Sequence, residues 1–151
     1  MLDFEIISKI GTDMESPIRI LLVEDSKTQA LQLIQAAEQM PGVTIESCGC
    51  AADIASHAFD ILVIDLTLPD SSIDESIKLI ARYSVAHAVI VYTAMADEKT
   101  VDECRRAGAC EFLHKNLASA IQYTIRQAID FQRERNLAGA YKRFHSVADK
   151  F

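Results

Sequence analysis

Phe59-Asp-Ile-Leu-Val-Ile64, ending in Asp65, is the stretch on which the fold turns. Its apolar residues are consecutive rather than alternating, and the run has strand length. A strand written this way is covered on both faces, as in a parallel sheet flanked by helices. Ile18–Val23 (Ile-Arg-Ile-Leu-Leu-Val) and Ala86–Tyr92 have the same character. Between these runs the apolar period changes. In Ser26–Met40, Ala30, Leu31, Ile34 and Ala37 recur at helical spacing, and Pro41-Gly42 stops the segment. Val43–Cys48 reads as a further strand, with Val43 and Ile45 on one face, and Ala51–Ala58 as a short helix. Asp74–Tyr83 and Asp97–Ala107 read as helices, the latter closed by Gly108; Cys110–Leu113 reads as a fifth strand, and Leu117 begins a last helix. Strands alternating with helices in this way form βαβ units. The expected fold is α/β, a doubly wound five-stranded parallel sheet with an extended C-terminal helix.

The chain has 151 residues, the size of one domain. Half of its residues are hydrophobic and 25% are charged, a composition that forms a core and argues against disorder. A net charge of −7 argues against a general nucleic-acid binder. Arg126, Arg133, Arg135 and Lys142 are diluted by Asp130 and Glu134, so the tail is no basic patch. No run approaches the roughly 18 apolar residues of a membrane span, and the acidic start lacks signal-peptide character. A soluble cytoplasmic protein is expected. Cys48, Cys50, Cys104 and Cys110 then read as free thiols, because Cys48-Gly49-Cys50 has neither zinc-ribbon nor redox spacing. The organisation reads as an N-terminal extension over 1–17, a domain over 18–131 and a helical extension or linker over 132–151. Met14 is an alternative start.

In open α/β sheets, function collects at the carboxyl ends of the strands. There the sequence places Glu24-Asp25, Asp65, Thr93 and Lys115. Clustered carboxylates repel unless a cation intervenes, and an oxygen-only cluster suits Mg²⁺. An amine and a hydroxyl beside them suit phosphoryl oxygens, so the rim reads as a phosphoryl-transfer site with an aspartate nucleophile. Plainer readings exist for each residue: Glu24 and Asp25 as helix caps, Asp65 as a strand-to-turn exit, Thr93 as a strand threonine and Lys115 as a solvated loop lysine. His57, His87, His114 and His145 lie on different elements and suggest no shared site.

Ile18-Arg-Ile-Leu-Leu-Val-Glu-Asp-Ser26, Asp60-Ile-Leu-Val-Ile-Asp-Leu-Thr-Leu-Pro-Asp70, Val91-Tyr-Thr-Ala94 and Ala107-Gly-Ala-Cys-Glu-Phe-Leu-His-Lys115, in this order, resemble the receiver domain of two-component response regulators. The resemblance covers about Ile18 to Phe131 and implies a flavodoxin-like (βα)5 fold. It implies that Asp65 accepts a phosphoryl group from a histidine kinase or phosphotransfer protein. Asp25 would be the direct Mg²⁺ ligand, Glu24 the second acid, acting through water, and Thr67 the donor of a backbone carbonyl. Thr93 would be the switch hydroxyl, Lys115 the phosphoryl contact and Phe112 the switch aromatic. Output would pass through the helices of Asp97–Ala107 and of Leu117 onward to a downstream domain or protein, with slow autodephosphorylation at most.

The sequence also departs from the family. Glu24 replaces the commoner aspartate, and Met95 leaves the phosphoryl face apolar. Asn116 stands where the family usually has proline after a cis bond. A cis bond before a residue other than proline costs about 3–4 kcal/mol, so a trans bond and a differently aimed Lys115 are expected. In the tail, Leu137, Tyr141, Phe144, Ala148 and Phe151 recur at four-three spacing, a stripe that wants a second copy, an output domain or the receiver's own surface. Two other readings stand beside the switch. One is a receiver-like interaction or dimerisation module not regulated by phosphorylation. The other is a dehalogenase-type phosphatase, which wants a second aspartate where Thr67 stands.

Overall fold

A computed structural model describes residues 16–94 and 97–148. Residues 1–15, Met14 among them, lie outside the described residues, as do Met95 and Phe151. Of the tail stripe, only Leu137 has a described side chain, and it is 70% exposed. Five strands, β1 (Ile18–Val23), β2 (Val43–Cys48), β3 (Ile61–Ile64), β4 (Ala88–Thr93) and β5 (Glu111–His114), form one parallel sheet in the order β2-β1-β3-β4-β5. The α-helices are α1 (Lys27–Glu38), α2 (Ile73–Tyr83), α3 (Glu98–Ala107) and α4 (Ile121–Ala148).

The central strands are buried at every position, and their side chains divide by parity between two cores. Ile61 and Val63 join Leu33, Ala37, Ile121 and Ile125 on one face. Leu62 and Ile64 join Ile54, Ile80 and Cys104 on the other. Both faces are thus covered, as the apolar runs required.

α1, α2 and α3 each begin where the sequence offers an acceptor. Ser26 Oγ accepts from the Gln29 N–H at 3.3 Å, Ser72 and Glu75 form a capping box, and Asp97 accepts from the Thr100 N–H at 2.8 Å. The segment expected as a helix over Ala51–Ala58 is instead a 3₁₀ turn, Ala51–Ser56. Ile54 is its one buried residue, too little apolar surface to hold a longer helix against the sheet. Its first N–H groups, from Ala51 and Ala52, donate to the two carboxylate oxygens of Asp70 at 2.9 and 3.0 Å.

The last helix also starts late. Lys115–Ala120 is 3₁₀, interrupted by Leu117 at φ −113°, and α4 begins at Ile121. It then runs 28 residues without interruption through the polar Gln132–Asn136 stretch. Gln132 Nε2 donates to the Ala86 carbonyl at 3.2 Å, and Arg135 donates to the Ser84 carbonyl. The first turns beyond Phe131 are therefore fastened to the α2–β4 loop.

Gly108 ends α3 at φ 116°, a left-handed conformation that glycine adopts without penalty. A Cβ at this position would run into the Ser84 side chain. Ser84 cannot easily give way, because its Oγ donates to the Ala107 carbonyl at 2.9 Å. Gly108→Ala is expected to cost about 2–3 kcal/mol, combining the left-handed penalty with overpacking. Urea denaturation measures it, and a loss below about half a kcal/mol would show that the turn relaxes freely.

Candidate functional site

The strand order sets the site. β1 and β3 are neighbours, and Asp65 N–H donates to the Val23 carbonyl at 3.0 Å, continuing their pairing past the strand ends. Glu24 and Asp25 therefore emerge beside Asp65. One carboxylate oxygen from each of Glu24, Asp25 and Asp65 lies within 4.8 Å of the others. Glu24 and Asp65 are buried, whereas Asp25 is exposed at the mouth.

Lys115 follows β5, which is separated from β3 by β4. Its stem crosses the end of β4, and Nζ lies 5.4 Å from the centroid of the Tyr92 ring. From there Nζ donates to Glu24 Oε2 at 2.9 Å, to Asp65 Oδ2 at 2.9 Å and to Gln29 Oε1 at 2.6 Å. No peptide bond among the described residues is cis. The trans geometry expected at Lys115–Asn116 is therefore present, but the misdirected lysine expected to accompany it is not. The Asn116 N–H donates to His114 Nδ1 at 3.0 Å, which closes the turn after β5.

Asp65 Oδ1 accepts from the Thr67 N–H at 3.1 Å and the Thr67 hydroxyl at 3.0 Å. Burial pushes the Asp65 carboxyl up, but Lys115 and the Thr67 N–H outweigh it and hold the group below the ordinary carboxylate range. Glu24 goes the other way: burial and the neighbouring Asp65 raise it in spite of Lys115. The Lys115 ammonium is raised, since Asp65 and Glu24 overcome its own burial. One carboxylate of the buried pair is thus kept ionised, and the other holds its proton more readily than a free glutamate.

Thr93 is fully buried at the end of β4 and pairs in register with His114 on β5. Phe112 is half-buried against the core that holds Val91 and Cys104, whereas its neighbour Leu113 belongs to the opposite core. The structure thus gathers Glu24, Asp25, Asp65, Thr67 and Lys115 into one site, and Thr93 ends the strand between Asp65 and Lys115. Gln29 was not singled out from sequence. Its only mark there is its place three residues after the Ser26 cap, which does not reveal that it faces the lysine.

The donor set is oxygen-only, carries three carboxylates and is mixed in exposure, all of which fits a hydrated Mg²⁺ rather than a soft metal.

Residues 20–128 match the family profile described as response regulator receiver domain. A protein-glutamate methylesterase/protein-glutamine glutaminase of Treponema denticola is 26% identical over 105 residues. That match covers 65% of this chain but only 28% of the relative. Among solved structures, a CheY-like receiver domain protein of Methanospirillum hungatei superposes with a TM-score of 0.70 at 23% identity, covering 80% of this chain and 99% of that one. The response regulator domain of Thermotoga maritima CheB gives 0.65 at 22% identity, covering 76% and 97%. The receiver domain of a LuxO repressor protein of Vibrio parahaemolyticus gives 0.71 at 24% identity, covering 81% and 97%. These structures share the fold, and the profile spans most of the chain: it belongs to the response regulator receiver domain family.

Proposed function

We propose that this chain is a phospho-accepting switch whose receiver spans 18–131, with 132–151 as a C-terminal extension or linker. The observation that carries the proposal is the buried Asp65 carboxylate, held ionised by Lys115 and Thr67 beside two further acids. An Asp65 oxygen attacks the phosphorus of a phosphohistidine on a histidine kinase or phosphotransfer protein. The P–N bond breaks with its electron pair going to the imidazole nitrogen, and an acyl phosphate remains on Asp65.

Lys115 meets the charge on the phosphoryl oxygens, and Thr93 supplies the hydroxyl that moves toward them. Glu24, Asp25, Asp65 and the Thr67 carbonyl would hold Mg²⁺, which when bound neutralises the converging negative charges. Phe112 would report the new state to the surface around α3 and β5, where a downstream protein or output domain reads it. The exposed Leu137 on α4 offers a second copy of the chain a contact. No helix among the described residues is long and apolar enough to cross a membrane, and we place the switch in the cytoplasm.

Intact-protein mass after incubation with acetyl phosphate and Mg²⁺ tests the proposal. A gain of one phosphoryl group is expected, and borohydride trapping should map it to Asp65. An unchanged mass in protein that still binds Mg²⁺ would favour the constitutive interaction module.

A further inference from the structure

Lys115 hangs in a closed ring of hydrogen bonds. Its Nζ donates to Glu24 Oε2 at 2.9 Å, and Glu24 Oε1 accepts from the Ser26 N–H at 3.2 Å. Ser26 Oγ accepts from the Gln29 N–H at 3.3 Å, and Gln29 Oε1 returns to Lys115 Nζ at 2.6 Å. The remaining ammonium proton goes to Asp65 Oδ2 at 2.9 Å. An ammonium has three donors, and here all three are committed.

The three acceptors are not equivalent in the proposed reaction. Asp65 changes chemically when one of its oxygens bonds to phosphorus. Glu24 belongs to the group that would face the cation. The Gln29 carboxamide is the one acceptor that neither event alters. It is also neutral, so it fixes the lysine without adding another like charge to the two buried carboxylates.

The chain after Lys115 offers no equivalent control, because the Lys115–Asn116 bond is trans and the following turn is pinned separately by His114. α1, by contrast, is capped at Ser26, so the position of Gln29 is fixed by the same residue that holds Glu24. We propose that Gln29 is a positioning residue, holding the Lys115 ammonium over Asp65 so that the lysine is aimed from α1 rather than from the loop that follows it. The benefit to phosphoryl transfer rests on the phospho-accepting reading; the restraint on the lysine does not.

Gln29→Met is the test, since methionine keeps the length and the helix preference but removes the oxygen acceptor. The first arm needs no phosphoryl group. In the cation-free wild type, the Lys115 ammonium is expected to give a slowly exchanging signal in proton–nitrogen NMR, and in Gln29→Met that signal is expected to broaden away. The second arm is kinetic. Gln29→Met should slow uptake from acetyl phosphate about tenfold, the worth of one hydrogen bond to a charged group, with Mg²⁺ affinity unchanged. In a Lys115→Met background the same substitution should cost nothing further, because its target is gone.

An unchanged Lys115 signal in Gln29→Met would overturn the proposal. So would an equal kinetic loss in both backgrounds, which would mark Gln29 as a merely structural residue. If the signal responds as expected but the wild type takes no phosphoryl group, the positioning stands and the phospho-accepting reading falls.

Discussion

Asp65→Asn is expected to take up no phosphoryl group from acetyl phosphate, under conditions in which the wild type is modified to a measurable extent. An amide oxygen is a poor nucleophile and leaves no anionic carboxylate to form the acyl phosphate. The neighbouring acids are weak substitutes. Glu24 has Oε2 committed to Lys115 and Oε1 to the Ser26 N–H, and its raised pKa makes it the more readily protonated of the buried pair. Asp25 is exposed and lacks the paired donors that Thr67 gives Asp65. The variant should still fold. Its new carboxamide oxygen can accept from Thr67 as the carboxylate did, and Lys115 keeps Glu24 and Gln29. The lysine loses one charged partner, so a cost of about 1–2 kcal/mol is expected. Intact mass and a thermal melt, read side by side, decide the matter. Equal phosphoryl uptake by the variant would move the acceptor to another carboxylate and dismantle the assignment of Asp65.

What the sequence revealed depended on how far apart the interacting residues stand. Ile61–Ile64 is legible as a strand because burial on both faces removes every polar residue from a short run. The rim is legible for a related reason: Glu24, Asp65 and Thr93 sit at the ends of such runs, and parallel strands put those ends side by side. The family resemblance then gave the residues roles that composition alone could not supply. The features that escaped are set by contacts between distant parts of the chain. Asp70 binds the N–H groups of Ala51 and Ala52, and nothing in either segment announces the pairing. The helix expected over Ala51–Ala58 fails because apolar content alone does not reveal that Ile54 is the one residue of the turn to become fully buried. Arg135 enters the sequence reading only as one of four basic residues diluted by acids, yet it reaches the Ser84 carbonyl on the far side of β4 and β5 in the chain. Lys115 is the instructive case. The replacement of proline by Asn116 pointed to a differently aimed side chain, but the aim comes from acceptors just past the ends of β1 and β3 and on α1, and it survives the loss of the proline.

Lys115→Met should have the largest effect on stability. Glu24 and Asp65 side chains are each 1% exposed and that of Lys115 is 12% exposed, so this is a buried arrangement and not a surface ion pair. Removing the Lys115 ammonium leaves these two carboxylates facing each other without a counter-charge among the described residues. The expected loss is about 3 kcal/mol near neutral pH in EDTA, the scale seen when one partner of a buried pair is deleted. The pH dependence follows from Glu24. Its folded pKa is raised, so the stability gained by protonating it is fully present below its unfolded value near 4.5 and is lost as pH rises through the folded value. Without Lys115 that folded value climbs further, so the deficit of the variant should be small in acid and reach its full size only above it. Mg²⁺ should reverse the deficit at neutral pH, because it supplies the missing positive charge to the same oxygens. Its affinity should rise about tenfold, since it no longer enters a site already holding an ammonium. Phosphoryl uptake should nevertheless fall about a hundredfold even at saturating Mg²⁺, because the cation restores the carboxylates but not the donor to the phosphoryl oxygens. Stability and reactivity would thus separate in one variant. Denaturation in EDTA and in Mg²⁺, with uptake rates alongside, reads both. Wild-type stability in EDTA would mean that the ammonium is not the counter-charge of the pair, and wild-type uptake in Mg²⁺ would remove Lys115 from the transfer.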